Sequence, residues 1–322
     1  MRIAFVGKGG SGKTTTAAMF ARHVADTGAP VLGIDADINQ HLGVALGADP
    51  GAAPPPSLAG DVAWLKEHVR GDNPRIGSAA EMIKTTPPGP GSRMLGLSGD
   101  DAVLARLSRV EGDVRYLVTG EVTESDIGVA CYHSKTGAVE LYLNHLLDGP
   151  GEYVVVDMTA GADAFASGLF TRFDLTVLVC EPTRRGVGVY QQYAEHAAAH
   201  DVALRVLGNK IAPGAEGDED VEYLRSEVGD ALIGRLGQSA WVRAAERGRA
   251  RPVSELEPDN AATCDVLLAD LDARTRDWAA YHRDTVAFHL RNAHSWANRA
   301  TGVDLGEQVD PGFVPGLLAS SA

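Results

Sequence analysis

The stretch Arg2–Thr14, RIAFVGKGGSGKT, decides the fold. A short apolar strand pattern, Arg2–Val6, runs into the glycine-rich loop Gly7–Thr14, and an apolar-periodic helical pattern follows. The loop fits the spacing G-x-x-x-x-G-K-[ST], and its place between a strand and a helix is the context that this motif requires. The alternative, a glycine-rich turn without a ligand, is disfavoured because motif and context agree. We therefore predict a phosphate-binding loop, in which backbone N–H groups and the positive end of the helix face an anion.

β-rich runs recur along the chain, and each is followed by a helical pattern. They lie at Arg2–Val6, Val31–Asp35, Tyr116–Thr119, Tyr153–Met158, Leu175–Glu181, Leu204–Asn209 and Leu232–Leu236. Several are apolar throughout, which is typical of strands covered on both faces. The alternation predicts an α/β fold, a doubly wound and mainly parallel sheet of the P-loop NTPase type with a C-terminal helical extension. Ligands of such sheets bind at the carboxyl ends of the strands.

Two stretches break this alternation. Residues 48–114 contain proline- and glycine-rich segments and are interpreted as a surface insertion in an ATPase domain of residues 1–258, with a mobile loop near Thr85–Arg93. Residues 259–322 are interpreted as one long amphipathic helix followed by an irregular tail, because apolar residues from Leu267 to Phe288 recur in steps of four and three. Three roles stay open for this helix: extra core for its own domain, an extended dimer interface, or a client-docking surface.

The amino-acid composition limits the classes of partner that the chain is expected to bind. The chain has 29 Lys and Arg against 43 Asp and Glu, a net charge of −14, which opposes binding to nucleic acid or to anionic lipid. The amino terminus lacks a signal-peptide pattern, and no apolar run is long enough to span a membrane. Cys131, Cys180 and Cys264 are far apart and odd in number, which favours a reducing compartment over a disulfide framework. We expect a cytoplasmic protein that binds neither nucleic acid nor membrane.

The loop chemistry predicts a Mg-ATP site. Lys13 is expected along the β- and γ-phosphates, and the Thr14 hydroxyl on Mg²⁺. Asp157 ends the run YVVVD beside the loop and fits a carboxylate that holds Mg²⁺ through water. Many buried strands end in Asp, so this assignment depends on the loop. The residues expected to bind nucleotide are Gly9, Gly10, Ser11, Gly12, Lys13, Thr14, Thr15, Asn209 and Lys210.

The loop KGGSGKTT resembles that of the deviant Walker-A ATPases, the family of nitrogenase iron protein, septum-site and plasmid-partition ATPases and nickel-insertion ATPases. The resemblance implies a homodimer that closes over two ATP molecules, with Lys8 reaching the nucleotide of the partner subunit, as an arginine finger does elsewhere. A solvated Lys8 is the alternative. The resemblance implies that Asp37 orients the attacking water and also contacts Mg²⁺ through water. It implies that Asp35 supports Asp37. The family usually has proline after this aspartate, whereas Ile38 stands here.

Asn209-Lys210 stands where the family places its base contact, although Asn209 is also typical of a turn after a strand. A guanine pocket of the Asn-Lys-x-Asp type needs a carboxylate at the fourth position, which is Ala212. Adenine is therefore favoured over guanine.

The whole layout most closely resembles the CooC-type accessory ATPases of carbon monoxide dehydrogenase, on KGGSGKTT, DAD, VVVDMTAG, VCEPTRR and VLGNK. That branch has a Cys-x-Cys pair through which the dimer holds a metal ion, but Val129 replaces the first cysteine here. Cys131 and His133 from two subunits could still hold Zn²⁺ or Ni²⁺. The alternative is that the metal site has been lost and Cys131 is a small interface residue.

Three functions follow from these observations. The leading hypothesis is an ATP-hydrolysing dimeric switch, with Lys8, Lys13 and Asp37 as catalytic residues, that serves a metalloenzyme or another client protein. The second is a positioning ATPase of the septum-site or partition kind. The third is an ATP-dependent biosynthetic enzyme whose pocket the insertion covers.

Overall fold

The computed structural model of the chain describes residues 1–97, 100–121, 132–161 and 168–316. The strands found there form one sheet: β1 (Arg2–Val6), β2 (Val31–Ala36), β3 (Arg109–Glu111), β4 (Val114–Val118), β5 (Tyr153–Met158), β6 (Leu175–Cys180), β7 (Leu204–Ile211) and β8 (Leu232–Gly237). Their order across the sheet is β3-β4-β2-β5-β1-β6-β7-β8, and every pair is parallel except β3 with β4. The mainly parallel sheet expected from the sequence is confirmed.

Helices cover both faces of this sheet. They are α1 (Lys13–Ala25), α2 (Leu42–Leu46), α3 (Val62–Arg70), α4 (Ala102–Leu107), α5 (Tyr132–His145), α6 (Arg184–Ala199), α7 (Ala215–Val228), α8 (Ala240–Ala245), α9 (Pro258–Asp272), α10 (Trp278–Asn292) and α11 (Asn298–Thr301). The alternating side chains of β1 divide between two apolar cores: Phe5 packs with Phe20 of α1 on one face, and Val6 belongs to the core that α3, α5 and α7 cover. Because β1, β2, β5 and β6 are buried along their whole length, they are apolar on both faces.

The predicted strands all exist, with ends shifted by at most two residues. Strand β3 was missed: it is three residues long, antiparallel and at the sheet edge, within the segment interpreted as an insertion. A strand of that length carries too little alternation to be recognised. Strand β7 extends to Ile211, two residues beyond the prediction.

The segment 48–114 is more deeply packed than a surface insertion. We predicted a mobile surface loop near Thr85–Arg93. That prediction is wrong for the first residues of the segment, because residues 85–89 are buried. Thr85 contacts His289 of α10, and Glu81 accepts a hydrogen bond through its backbone oxygen from Gln308. These contacts leave no pattern in the local sequence, because C-terminal residues supply the covering surface.

The long C-terminal helix predicted from Leu267 to Phe288 is also wrong. Residues 273–277 are not helical and separate α9 from α10, and Asp277 begins the second helix by accepting hydrogen bonds from the backbone N–H groups of residues 279 and 280. The four-three spacing continues across the break, so periodicity alone could not reveal it. Helix α9 packs on β8 and α1, and α10 packs on the turn Gly168–Arg172; both therefore contact the sheet domain.

A buried charge cluster holds α10 against the sheet. The Asp148 carboxylate accepts hydrogen bonds from Arg2 at 2.7 Å and from Arg276 at 2.9 Å. Arg276 also pairs with Asp174, and Arg2 donates to the Tyr281 hydroxyl of α10. Burial by itself raises the pKa of Asp148, but the two guanidinium groups outweigh it and hold that pKa far below its ordinary value. Asp148 thus keeps its negative charge at any physiological pH.

Among the described residues, no helix has both the length and the apolar character needed to cross a bilayer.

A second buried carboxyl, Glu140 of α5, makes stability depend on pH. Burial raises its pKa from 4.5 to about 7, although Lys84 and Arg172 lower it. Because the folded-state pKa is the higher one, the free energy of unfolding should fall as pH rises from 4.5 through 7. Glu140→Gln stays neutral, so we expect it to be more stable than the wild type by up to about 3 kcal/mol at pH 8 and nearly equal at pH 4. Urea unfolding at both pH values measures this difference.

The exposed Glu222 of α7 provides the control. Glu222→Gln should leave the pH dependence of unfolding as in the wild type. A difference between Glu140→Gln and the wild type that is equal at pH 4 and pH 8 would contradict the assignment of the proton to Glu140.

Candidate functional site

The predicted phosphate-binding loop joins β1 to α1 at the carboxyl edge of the sheet. Gly10 and Gly12 have φ angles of 79° and 96°, which favour glycine, and the Ser11 N–H closes a turn onto the Lys8 carbonyl at 3.1 Å. A Cβ on Gly12 would overlap the Asn209 side-chain nitrogen, so glycine is also required there for space. Helix α1 begins directly afterwards at Lys13 and presents its N-terminus to the loop. Such a loop and helix end can hold an anion.

Lys13 lies inside the site rather than in solvent. Its side chain is 6% exposed, and its Nζ lies 3.5 Å from a carboxylate oxygen of Asp37. The other Asp37 oxygen accepts hydrogen bonds from the backbone and side-chain nitrogens of Asn39, both at 3.0 Å. Asp37 thus connects the phosphate loop to the segment after β2.

Thr14 and Asp157 form the second contact between the loop and a strand end. The Thr14 hydroxyl donates to Oδ2 of Asp157 at 2.6 Å, while Oδ1 of Asp157 is buried and has no hydrogen-bond partner among the described residues. Burial, followed by the nearby Asp37, raises the pKa of Asp157 to about 7, against the lowering effect of Thr14 and Lys13. A buried carboxylate with an open oxygen beside a hydroxyl is a donor set that fits a hard cation such as Mg²⁺.

Asp35 supports this arrangement without facing solvent. It is fully buried, and its oxygens accept hydrogen bonds from the backbone N–H groups of Leu42 at 2.7 Å and Asp37 at 3.2 Å. Burial, with the charge of Asp157 in addition, raises its pKa well above the ordinary value. Asp35 fixes the course of the chain through Asp37, which agrees with the supporting role expected for it.

Asn209 and Lys210 hold the loop from the other side. The Asn209 amide donates to the Ser11 carbonyl at 2.7 Å, and the Lys210 ammonium donates to the Gly10 carbonyl at 2.7 Å. Both also line a cavity of about 300 Å³ beside α1. Its remaining walls are Gly12, Thr15, Thr16, Met19, Leu236, Gly237, Gln238, Ser239, Val242, Arg243 and Glu246.

Glu181 was not assigned a role from the sequence. It follows β6, and its carboxylate pairs with Lys210 at 2.5 Å. Its position after an apolar strand at the carboxyl edge was the available signal. Gly237 at the end of β8, with Gln238 and Ser239 after it, was also missed, and the position at the carboxyl end of a strand was again the available signal.

Lys8 is partly exposed, and its ammonium group has no hydrogen-bond or ion-pair partner in the part of the chain that the structure describes. Cys131 and the His133 side chain lie outside the described residues, so the transition-metal site stays a prediction. Cys180 and Cys264 are buried, and burial raises the pKa of their thiols to about 11 and about 12. Within the described ranges no three His, Cys, Asp or Glu side chains cluster in a way that could hold a metal ion.

A strand, a glycine-rich loop and a helix, with carboxylates at two neighbouring strand ends, define a P-loop nucleotide-binding protein. The family model for the CobQ/CobB/MinD/ParA nucleotide binding domain matches residues 3–252, and the chain belongs to this family. The resemblance expected from KGGSGKTT is confirmed.

Similar proteins support the same assignment. The carbon monoxide dehydrogenase accessory protein CooC of Rhodospirillum rubrum is 28% identical over 252 residues, 77% of this chain and 87% of that protein. An uncharacterized ATP-binding protein of Methanocaldococcus jannaschii is 28% identical over 235 residues, 72% of this chain and 81% of that protein. The fold is that of the septum site-determining protein MinD complexed with Mg-ADP from Pyrococcus horikoshii, with a TM-score of 0.54 and 16% identity over 84% of this chain and 96% of that one.

The glycine requirement in the loop gives a direct test. Gly12→Ala should lower nucleotide affinity at least ~100-fold, because a methyl group there displaces Asn209 and the φ of 96° strains alanine. Gly9→Ala should weaken binding far less, since no atom lies within 4 Å of its Cβ position. Titration with a fluorescent ATP analogue compares the two variants, and equal losses would mean that the crowding at Gly12 is irrelevant to binding.

Proposed function

We propose that the chain is an ATPase that works as a dimeric switch. The observation that carries the proposal is that two neighbouring side chains of one loop each contact a carboxylate at a strand end, Lys13 with Asp37 and Thr14 with Asp157. A nucleotide bound to the loop therefore acts on the chain after β2 and after β5 at once. ATP is supported as the nucleotide by the absence of a carboxylate at Ala212 and by the ATP-binding and Mg-ADP-bound relatives.

Each residue then has a defined task in hydrolysis. Loop N–H groups and Lys13 neutralise the β- and γ-phosphates, which requires Lys13 to exchange Asp37 for phosphate oxygen. The released Asp37 carboxylate, held by Asn39, orients the attacking water. Thr14, with Asp157 and Asp37 through water, would hold Mg²⁺, which would supply charge neutralisation to the transferring phosphoryl group. Gly9–Thr15 cradle the phosphates, and Asn209 and Lys210 border the base cavity.

Replacement of the Lys13–Asp37 ion pair by a contact between Lys13 and phosphate couples nucleotide binding to a change of conformation. The ion pair lies within the site, at 6% exposure for Lys13, so its loss leaves Asp37 and the segment after β2 free to adopt a second arrangement. Lys8 of each subunit would then reach the nucleotide of its partner and close the homodimer, since it has no partner among the described residues of its own chain. Hydrolysis reopens the dimer.

For the biological role, we propose an accessory factor that activates a metalloenzyme or another client, as the name of the CooC relative suggests. We also propose that residues 1–258 are the ATPase domain and that residues 259–322, in which Gln308 and Asp310 contact segment 48–114, form part of the client surface. The contacts Arg75–Asp310 and Gln308–Glu81 make these two parts one surface.

A positioning ATPase is the second candidate, because MinD and ParA proteins share the fold. The net charge of −14 opposes attachment to DNA or anionic membrane. If the chain is an accessory factor, we expect it to bind neither vesicles of anionic lipid nor duplex DNA at low salt. A phosphorylated small-molecule product would instead indicate a biosynthetic enzyme.

The two loop lysines should have separable effects. Lys13→Ala should abolish nucleotide binding, because Lys13 is the loop lysine expected to neutralise the β- and γ-phosphates within its own subunit. Lys8→Ala should bind ATP normally but lose dimerisation, with turnover reduced at least ~100-fold, as for loss of an arginine finger. Binding titrations and steady-state phosphate release measure both, and unchanged hydrolysis in Lys8→Ala would remove the deviant-loop assignment.

Asp37→Ala should bind Mg-ATP, hydrolyse it far more slowly and accumulate as a dimer, because the water-orienting carboxylate is gone while the contacts that close the dimer remain. Mass in solution and metal content are measured on the same dimer peak. About one zinc or nickel ion per dimer, lost on Cys131→Ala, supports the metal-loading role, and an ATP-dependent dimer without metal argues against it. Turnover at the wild-type rate would refute the role of Asp37.

A further inference from the structure

Lys210 makes contacts that a nucleotide-binding lysine does not need. Its ammonium group donates to the Gly10 carbonyl at 2.7 Å and pairs with Glu181 at 2.5 Å. The Lys210 side chain is 55% exposed and that of Glu181 22% exposed. An ion pair this exposed contributes little to stability. What distinguishes it is the third partner, a carbonyl of the phosphate-binding loop.

The backbone is bent to make that contact. Lys210 has a φ of 60°, a left-handed conformation that only Gln40 and Asp201 share among the described non-glycine residues. The pairing of β7 with β8 is irregular between Gly208 and Ile211, so Lys210 stands in a bulge. Bulges of this kind redirect a side chain at the edge of a site, and the strain persists only where contacts maintain it. Here the redirected side chain reaches the loop.

The geometry of the peptide bond shows what the contact does. A trans peptide directs its C=O and N–H groups in opposite directions. The Gly10 carbonyl that Lys210 binds therefore belongs to the same peptide unit as the Ser11 N–H, which donates to the Lys8 carbonyl at 3.1 Å. A cation on the carbonyl polarises the unit and strengthens its N–H as a donor. Lys210 thus stabilises the turn Lys8–Ser11, which carries Lys8.

Asn209 acts on the next peptide unit. Its amide donates to the Ser11 carbonyl, and the N–H of that unit belongs to Gly12, which is in the stretch that cradles phosphate. Neighbouring residues of β7 therefore hold neighbouring peptides with different consequences. Asn209 orients a phosphate-binding N–H, whereas Lys210 orients the turn of Lys8.

We propose that Lys210, anchored by Glu181, is a positioning residue for Lys8 and acts in turnover rather than in nucleotide binding. Glu181 and Lys8 line the same crevice beside Ser11, and the Glu181 carboxylate pairs with Lys210. This inference rests on the proposed role of Lys8 and replaces the expectation that Lys210 is a nucleotide ligand.

The test compares ATP affinity with the single-turnover rate at saturating Mg-ATP in Lys8→Ala, Lys210→Ala and the double variant. Lys210→Ala should slow turnover about tenfold or more and change the Kd for ATP less than about threefold, as expected for loss of one charge-assisted hydrogen bond outside the phosphate site. Because Lys210 acts through Lys8, the double variant should turn over no more slowly than Lys8→Ala. Asn209→Ala should show the opposite pattern, with ATP affinity reduced.

Further variants separate positioning from general damage. Lys210→Gly removes the side chain and accepts the positive φ at no steric cost, so it should match Lys210→Ala in rate while keeping the thermal unfolding midpoint. Lys210→Arg, which retains a charged donor, should recover part of the rate, and Glu181→Gln should slow turnover less than Lys210→Ala. Arg70→Ala, which breaks the exposed Arg70–Glu67 pair of α3, is the matched control and should turn over as the wild type.

The outcomes are distinguishable. Normal turnover in Lys8→Ala overturns the proposed function. Slow turnover in Lys8→Ala with normal turnover in Lys210→Ala overturns this inference alone. So does a double variant in which the two effects multiply, or a Lys210→Ala variant whose main defect is ATP affinity.

Discussion

The parallel pairing of β5 with both β2 and β1 is the constraint on which the site depends. It places Asp35 directly opposite Asp157 across two buried strands, with the phosphate-binding loop on the neighbouring strand. Both carboxylates lose hydration there, which raises the pKa of each; the charge of Asp157 raises that of Asp35 further, and the charge of Asp37 raises that of Asp157. The arrangement is favourable only when cations balance it, and among the described residues Lys13 supplies one positive charge beside Asp37 and Asp157. The sheet thus builds a site that favours metal-bound nucleotide.

The sequence predicted the parts of the fold in which local pattern and tertiary environment agree. Buried parallel strands are apolar throughout, and the loop Gly7–Thr14 has a fixed spacing, so both were recognisable. The break between α9 and α10 was not, because apolar spacing continued across it. The burial of Thr85 could not be predicted either, because the residue that packs on it, His289, lies in α10 and is distant in sequence. In the site, side chains on the loop were identified, whereas the hydrogen bond from Lys210 to the Gly10 carbonyl depends on a bulge in β7 that leaves no pattern in the sequence.

The C-terminal helices give this chain a feature beyond the family domain, which ends at residue 252. Arg172, which is 1% exposed, donates to Thr285 and to the backbone oxygen of Tyr281, and Phe170 packs edge-on against Phe288. The turn Gly168–Arg172, which these contacts hold, begins eleven residues after Asp157. A helix outside the shared domain is therefore attached to the turn that precedes β6, at the centre of the sheet.

The buried cluster of Arg2, Asp148 and Arg276 has a consequence for how the protein is made. Arg2 in the first strand meets the Tyr281 hydroxyl 279 positions later. During synthesis β1 leaves the ribosome long before α10 has been made. Arg2 and Asp148 therefore lack their C-terminal partners Tyr281 and Arg276 until late in synthesis. Contacts of such sequence separation slow folding and leave partly packed forms exposed to aggregation. In a nascent chain that ends after the family domain, Asp148 and Asp174 would lack their partner Arg276. The chain can therefore complete its folding only after the C-terminal helices have been synthesised.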